Sequence, residues 1–256
     1  MALQKFFAIF TETFFMKQYI PNALTLLNLW CGSIAVIFVV NDNFIFAALF
    51  VFLGIFFDFF DGFAARKLNV QSTLGVQLDS LADMVTSGVV PGLVMYKMLE
   101  IIESDWGEVD LSKGLGIPIL PLLGLSITLA SAYRLAKFNI DTEQQDYFKG
   151  LPTPANTLLI IALPLIIEFQ NNDIINSVIL NKWFLIGLTI FSCWILNANI
   201  KLFALKFKNY SFKDNATRYI FILLCGVLLI VLKFAAIPLI ILLYIIMSVL
   251  DNISPK

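Results

Sequence analysis

Long apolar segments, repeated along the whole chain, constrain this sequence more than any other feature. A segment of about 20 apolar residues is long enough to cross a bilayer as a helix. We predict eight such segments, at approximately residues 20–40, 44–63, 75–98, 115–137, 152–168, 179–199, 217–232 and 234–250. A chain that is 59% hydrophobic and 14% charged is also too apolar for an ordinary soluble domain. The predicted fold class is all-α, a polytopic bundle of membrane helices.

The sequence also predicts the structure near the two ends of the chain. Near the amino terminus, apolar residues recur at helical spacing between two lysines. This pattern predicts an amphipathic helix at the membrane interface over residues 1–19, with a frayed tail as the alternative. Residues 20–250 are interpreted as a single membrane domain and residues 251–256 as a tail. The last two apolar segments meet at Lys233, so they form either a re-entrant pair or a tight hairpin that points to the outer face.

The charge distribution predicts the orientation in the membrane. With the amino terminus in the cytoplasm, only four of the 17 basic residues lie on the outer side, namely Lys97, Lys113, Lys182 and Lys233. Basic residues favour the cytoplasmic side, so both termini are predicted to be cytoplasmic in a multi-pass protein of the cell (inner) membrane. The basic residues are scattered and the formal net charge is −1, which excludes nucleic acid as a partner.

Four aspartates are prominent against this apolar background. Asp58 and Asp61 lie three residues apart near the end of the second predicted span, and Asp79 and Asp83 lie four apart near the start of the third. Each spacing puts one pair on a single helix face. The connection between the two spans is short, which predicts antiparallel neighbours whose carboxylates converge near the cytoplasmic surface.

Converging carboxylates repel one another unless a cation lies between them. The chain has no histidine, so ions that prefer oxygen ligands, such as Mg²⁺, Mn²⁺ or Ca²⁺, fit this set of residues best. The alternative for any single aspartate is that it caps a helix or faces water beside Arg66 and Lys67. Because ionisable residues in membrane spans are costly, four in this pattern predict a divalent-metal site.

The stretch from Asp58 to Asp83 reads D-x₂-D-G-x₂-A-R-x₈-G-x₃-D-x₃-D. It resembles the signature of the CDP-alcohol phosphotransferases, which are integral membrane enzymes of phospholipid synthesis. The resemblance implies a two-metal site for Mg²⁺ or Mn²⁺, with Ca²⁺ as a further option, in which Asp83 is also the general base. It implies that the four aspartates are the ligands, Asp58, Asp61, Asp79 and Asp83, and that the CDP part of the donor lies against Gly62, Ala65 and Arg66. Gly75 is a further donor-binding candidate, with helix packing in the membrane as its alternative.

Three further segments indicate the acceptor alcohol, IPNALTLLNLWCGSIAV, SAYRLAKFNI and YFKGLPTPANT. They resemble the branch of this family formed by the bacterial membrane-spanning phosphatidylserine synthases. That resemblance implies CDP-diacylglycerol and L-serine as substrates, CMP as a product, and a homodimer in the lipid bilayer. The first of these segments borders the nucleotide in that family, which makes Asn22 and Thr25 donor-binding candidates. The alternative for both residues is an ordinary helix start.

Serine carries a carboxylate, so its pocket needs a cation near the metal site, preferably one that can form two parallel hydrogen bonds. Arg134 is the candidate for this contact. Lys137 follows three residues later and either assists there or binds a lipid phosphate. The alternative for both residues is anchoring at the cytoplasmic end of the fourth span.

Two other hypotheses compete with transfer to serine. The first keeps the chemistry and changes the acceptor to glycerol 3-phosphate, inositol phosphate or choline, and the composition alone does not exclude it. The second is a cation transporter, in which acidic residues would spread through several spans at mid-depth. The carboxylates of this chain cluster near one surface instead, which favours the enzyme.

Overall fold

The structure is a computed structural model that describes residues 2–105, 119–141, 147–170, 172–203 and 212–253, and it is an all-α bundle as predicted. The α-helices are α1 Ala2–Val40, α2 Phe44–Leu68, α3 Thr73–Asp83, α4 Val90–Asp105, α5 Ser126–Ile140, α6 Thr153–Gln170, α7 Asp173–Ile179, α8 Lys182–Asn197, α9 Phe212–Leu232 and α10 Ala236–Ile253. A π-helical segment, Met84–Val89, joins α3 to α4, and 3₁₀ segments occupy Leu120–Leu125 and Lys233–Ala235. Two three-residue strands, β1 Tyr147–Lys149 and β2 Lys201–Phe203, form a small antiparallel ladder.

The predicted amino-terminal segment is helical over its described part. Helix α1 is continuous from Ala2 to Val40 and contains Pro21, so the helix does not break where the first span was predicted to begin. The side chains of residues 2–16 lie outside the described part of the chain. The interfacial location of residues 1–19 and the domain limits at residues 20 and 250 therefore stay predictions.

The described part of the chain has five helical stretches long and apolar enough to cross a membrane, Tyr19–Val40, Phe44–Leu68, Thr73–Glu103, Thr153–Gln170 and Arg218–Asn252. The pair α7 and α8, bent by 60° at its break, would add a sixth. The predicted count of eight is thus not confirmed. Over the predicted fourth span, the described helical structure is a 3₁₀ segment followed by the 15-residue helix α5.

The last apolar stretch, Arg218–Asn252, reverses direction half-way. Phe221 in α9 contacts Tyr244 in α10, with ring centroids 5.8 Å apart, which is geometrically possible only if the two helices are antiparallel. The turn lies at Lys233, whose φ of 48° is in the left-handed region. The Gln170 side chain at the end of α6 donates to the Leu232 carbonyl and accepts from the Ala235 amide. The last two apolar segments thus form an antiparallel hairpin, which both predicted arrangements share, and the choice between a re-entrant and a spanning pair stays a prediction.

A short turn connects α2 to α3, as the sequence predicted. Asn69 ends α2 in the left-handed conformation at a φ of 54°, which asparagine tolerates better than most residues. Ser72 then caps α3, because its hydroxyl accepts a hydrogen bond from the Gly75 amide at 3.0 Å. This turn fixes the two aspartate-bearing helices beside each other.

The π-helical segment follows Asp83 directly. Such a segment leaves backbone carbonyls without their ordinary α-helical partners, and a membrane interior provides no water to bond them. Two threonine hydroxyls bond these carbonyls instead of water. Thr128 of α5 donates to the Gly88 carbonyl, and Thr157 of α6 donates to the Ser87 carbonyl. Thr86 in turn donates to the Asn28 carbonyl of α1. The irregular turn is therefore bonded to three neighbouring helices.

A substitution at Gly124 tests how closely the 3₁₀ segment Leu120–Leu125 packs on α4. A Cβ at Gly124 would lie 2.9 Å from the backbone carbonyl carbon of Met95, so Gly124→Ala has to displace the backbone. We expect it to destabilise the protein by about 1–3 kcal/mol, measured as a lower melting temperature in detergent. Gly187→Ala in α8 is the matched control, since no atom lies within 4 Å of its Cβ position. Equal melting temperatures for the two variants would contradict the close packing.

Candidate metal centre

Three of the four predicted aspartates converge between α2 and α3. One carboxylate oxygen from each of Asp58, Asp61 and Asp79 lies within 4.8 Å of the other two. Asp61 is buried, and Asp58 and Asp79 are half-buried. The α2–α3 turn brings the two helices together, and the spacing of three residues in α2 directs Asp58 and Asp61 to the same side. The structure therefore brings together the three side chains that the sequence pattern had grouped.

Asp83 lies next to this group rather than within it. The Asp58 side chain is close enough to interact directly with both Asp79 and Asp83, and it therefore links the three-residue group to Asp83. The amide of Asn28 in α1 donates to the Asp83 carboxylate over 3.3 Å. Asp83 is also the last residue before the π-helical segment. These contacts set it apart from the other three aspartates.

The first helix also reaches the metal group through Thr25. This buried threonine donates its hydroxyl hydrogen to the Asp61 carboxylate over 2.5 Å. The contact orients one oxygen of Asp61 and leaves the other for a ligand. Thr25 was predicted to bind the donor, and the structure adds this second role beside the carboxylates.

The residues fit a divalent cation. Within the described ranges, no lysine or arginine forms an ion pair with any of the four aspartates. The hydrogen bonds from Thr25 and Asn28 relieve part of the mutual repulsion of the carboxylates, and a cation between them would relieve the rest. Carboxylate oxygens alone make up the donor set, which matches the preference of Mg²⁺, Mn²⁺ and Ca²⁺. The cluster could thus bind a divalent metal ion, and the number of ions stays a prediction.

A cavity of about 300 Å³ opens beside the aspartates. All six residues predicted to bind the donor line its wall, namely Asn22, Thr25, Gly62, Ala65, Arg66 and Gly75. Asp61 and Asp79 also border it. Its size is at the lower end of the range for small-ligand sites, about 300–1,000 Å³. The residues of α1, α2 and α3 that the sequence assigned to one ligand therefore do face one space.

Arg134 lies near Asp83. It is buried in α5, with 7% of its surface exposed, and its charge interacts with that of Asp83. Lys137 shares a narrow crevice with Arg134, together with Lys149 and Asn197. Neither Arg134 nor Lys137 borders the donor cavity. The predicted acceptor residues thus lie outside the cavity that the predicted donor residues line.

Sequence reasoning missed several polar residues around Asp83. Ser80 and Asn139 exchange hydrogen bonds of 3.1 and 2.9 Å, which ties α3 to α5. Buried side-chain atoms with no partner among the described residues belong to Asn28, Ser87, Ser131, Arg134 and Asn156. A buried polar atom normally has a hydrogen-bond partner. Polar residues inside apolar spans were the signal that could have identified these positions.

The family model described as CDP-alcohol phosphatidyltransferase matches residues 18–194, which is more than half of the chain. The chain belongs to this family. The matched range contains all twelve residues predicted for the metal, donor and acceptor sites. The family is one of transferases by its description, so the cation-transporter hypothesis receives no support.

Three relatives of this chain carry the same enzyme name. The CDP-diacylglycerol–serine O-phosphatidyltransferase of Bacillus subtilis is 35% identical over 165 residues, which cover 63% of this chain and 81% of the relative. The enzyme of that name from Methanocaldococcus jannaschii is 31% identical over 68% of this chain and 71% of its own length. The one from Helicobacter pylori strain J99 is 31% identical over 55% of each chain.

Proposed function

We propose that this member of the family transfers the phosphatidyl group of CDP-diacylglycerol to L-serine, giving phosphatidylserine and CMP. The observation that carries the proposal is the place of Asp83. Its side chain interacts with Asp58 of the metal group, whose partners Asp61 and Asp79 border the donor cavity, and with the charge of the buried Arg134. The names of the relatives support serine as the acceptor.

In this proposal the donor lies in the cavity beside α1, α2 and α3. Gly62 keeps its wall open, because the nearest atom to a Cβ at this position is an Arg66 guanidinium nitrogen 3.6 Å away. The Arg66 charge lies at the rim and can pair with a donor phosphate. Asp58, Asp61 and Asp79 would hold the pyrophosphate end of the donor through metal ions. Those ions, Mg²⁺ or Mn²⁺ in our proposal and two in number, would neutralise the charge that develops on the phosphate oxygens.

Asp83 is proposed as the general base. The serine hydroxyl oxygen forms a bond to the phosphorus that carries diacylglycerol, the bond from that phosphorus to the CMP oxygen breaks, and CMP leaves with the electron pair. The serine hydroxyl proton passes to the Asp83 carboxylate. The Asn28 amide donates to one oxygen of Asp83, and this contact holds the carboxylate in place for the transfer. Asp83 is also proposed to contribute to metal binding.

Arg134 is proposed to bind the serine carboxylate. Burial removes water that would compete for the guanidinium, and its Nε has no partner within the described part of the chain. A buried donor without a partner is costly, so an anionic ligand would stabilise this side chain. Lys137, in the same crevice, is proposed to assist or to bind a lipid phosphate.

The reaction is proposed to take place at the cytoplasmic face of the cell membrane. The positive-inside distribution of basic residues supports this orientation, with both termini in the cytoplasm. The lipid donor would reach its cavity from the surrounding bilayer. The homodimer implied by the family resemblance stays a prediction.

Purified protein in detergent tests the function directly. The assay supplies CDP-diacylglycerol and Mn²⁺ or Mg²⁺ and compares CMP release with serine, glycerol 3-phosphate, inositol phosphate and choline. We expect release with serine and formation of phosphatidylserine. Release with a different alcohol alone would replace serine as the acceptor, and no release with any of the four would refute the enzyme function.

Arg134→Ala is expected to raise the KM for serine about tenfold or more, because the acceptor loses a charge-assisted hydrogen bond. The KM for CDP-diacylglycerol should stay within about twofold, since Arg134 does not border the donor cavity. Steady-state kinetics with each substrate varied in turn measure both values. An unchanged KM for serine would remove Arg134 from the acceptor site.

A further inference from the structure

The crevice beside Arg134 is bordered by a polar side chain at the end of α8. Asn197 lines it together with Arg134, Lys137 and Lys149. The Asn197 amide nitrogen donates to the Ala130 carbonyl of α5 over 3.1 Å. In an α-helix, the carbonyl of residue 130 faces the backbone amide four positions later, which belongs to Arg134. This hydrogen bond therefore places the Asn197 side chain beside the helical turn that carries the proposed acceptor cation.

The surroundings of the Asn197 amide determine its orientation. Its nitrogen faces two backbone carbonyls, Ala130 at 3.1 Å and Cys193 at 3.4 Å. Carbonyl oxygens accept hydrogen bonds and cannot donate them, so the nitrogen and not the oxygen of the amide must face them. The Oδ1 atom is buried and has no hydrogen-bond partner in the described part of the chain. The amide thus offers an acceptor that no described group of the protein uses.

Two unpaired polar atoms of opposite kind occur among the residues of this crevice. The Arg134 Nε–H is a donor and the Asn197 Oδ1 is an acceptor, and both are buried. Among the described residues that line the crevice, no other side chain has a buried polar atom without a partner. Buried polar atoms are normally hydrogen-bonded, and leaving them unpaired is costly. A ligand with an anionic group and a hydrogen donor would satisfy both atoms.

The charge and the size of the crevice bear on which ligand it can take. Lys149 forms an ion pair of 2.9 Å with Asp141, so its charge is balanced locally and repels a second cation less. The free space is about 10 Å³, enough for one water molecule. A larger ligand therefore has to displace a side chain, and Lys137 is half-buried on a long flexible stem that can move.

We propose that Asn197 binds the ammonium group of the acceptor serine while Arg134 binds its carboxylate. The inference rests on the function proposed above. An α-amino acid carries both groups on one carbon, so the Asn197 Oδ1 can accept from the ammonium while the guanidinium donates to the carboxylate. The two side chains together select a zwitterion over an alcohol that has only one of these groups. Asn197 lies beyond residues 18–194, the range that the family model matches.

Two acceptors that differ only in the amino group test this role. 3-Hydroxypropionate is serine without its amino group, and its binding is measured as competitive inhibition of phosphatidylserine formation. In wild type, we expect its inhibition constant to exceed the KM for serine about tenfold or more, because a charge-assisted hydrogen bond is lost. In Asn197→Ala, the KM for serine should rise about tenfold, while the inhibition constant of 3-hydroxypropionate should stay within about twofold.

Two further variants serve as controls. Asn199→Ala is the matched one, since Asn199 is exposed and does not line the crevice, and it should leave both constants at their wild-type values. Arg134→Ala should raise both constants together, because serine and 3-hydroxypropionate share the carboxylate. The melting temperature of each variant in detergent shows that it is folded.

Equal constants for serine and 3-hydroxypropionate in wild type would overturn the proposal without any variant. A parallel rise of both constants in Asn197→Ala would also overturn it, because that pattern indicates support of the turn that carries Arg134. Constants like those of Asn199→Ala would show that Asn197 has no role. In these three cases serine remains the acceptor and only the role of Asn197 is lost.

The wild-type assay with the four alcohols identifies a failure of the proposed function itself. If wild type releases CMP only with an alcohol other than serine, or with none of the four, serine is wrong as the acceptor. The role of Asn197 in binding the serine ammonium is then overturned together with the function.

Discussion

Asp83→Asn is expected to lower kcat by a factor of about 10²–10⁴, the usual contribution of a general base. The amide keeps the size of the side chain and can still face Asn28, but it cannot take the hydroxyl proton of the acceptor. Binding of CDP-diacylglycerol should change little, because Asp83 lies outside the three-aspartate group and does not border the donor cavity. Single-turnover kinetics and equilibrium donor binding measure the two effects separately.

Asp42→Asn is a suitable control for the charge change. Asp42 lies in the turn after α1, at the opposite end of the helices from the metal centre, with 58% of its side chain exposed and Lys97 3.0 Å away. Its φ of 56° is one that asparagine accepts. Loss of this exposed ion pair costs at most about 1 kcal/mol, and activity should not change. An Asp83→Asn enzyme within threefold of wild type would dismiss Asp83 as the base.

Removal of divalent ions with a chelator is expected to abolish turnover, with a loss of at least about a hundredfold. The convergent carboxylates of Asp58, Asp61 and Asp79 form no ion pair with a basic residue in the described part of the chain, and the proposed chemistry therefore depends on added ions. Re-addition of Mn²⁺ or Mg²⁺ should restore activity. Full activity in chelator would contradict a metal-assisted reaction.

Thermal stability provides a readout of metal binding that does not depend on turnover. Mn²⁺ should raise the melting temperature of wild type, since a ligand at 100 times its Kd stabilises the folded state by about 2.7 kcal/mol. Asp58→Asn should lose most of this shift, because Asp58 lies in the group and also links it to Asp83. Asp42→Asn should keep it. The same shift in both variants would place the ion elsewhere.

The convergence of the residues proposed to bind the metal and the donor was predictable because their geometry is local. Two residue pairs at helical spacing and one short turn determine where Asp58, Asp61 and Asp79 meet, and the structure confirms that convergence. The six donor residues likewise come from three consecutive helices and line one cavity. The number of membrane spans was harder to predict from the sequence, because the length of an apolar segment does not reveal the bend between α7 and α8.

The acceptor side could not be assembled from the sequence in the same way. Arg134 shares its crevice with Lys149 and Asn197, which lie 15 and 63 positions further along the chain, and no short motif specifies that arrangement. Asn28 reaches Asp83 from a different helix, 55 positions away. Such pairs arise from tertiary packing. The sequence therefore indicated that the acceptor site needs a cationic side chain, and it did not indicate which residues surround that side chain.

The π-helical segment has a consequence for how this enzyme can change over time. An extra residue in one turn rotates everything beyond it by roughly 100° about the helix axis. Residues from Val90 onward therefore face their neighbours in a phase set independently of the turn that carries Asp79 and Asp83. Val90, Val94 and Leu99 beyond the turn are fully buried, so a residue inserted into this turn or deleted from it would rotate them away from the core while the aspartates kept their direction. The irregular turn therefore tolerates a change of residue type more readily than a change in the number of its residues.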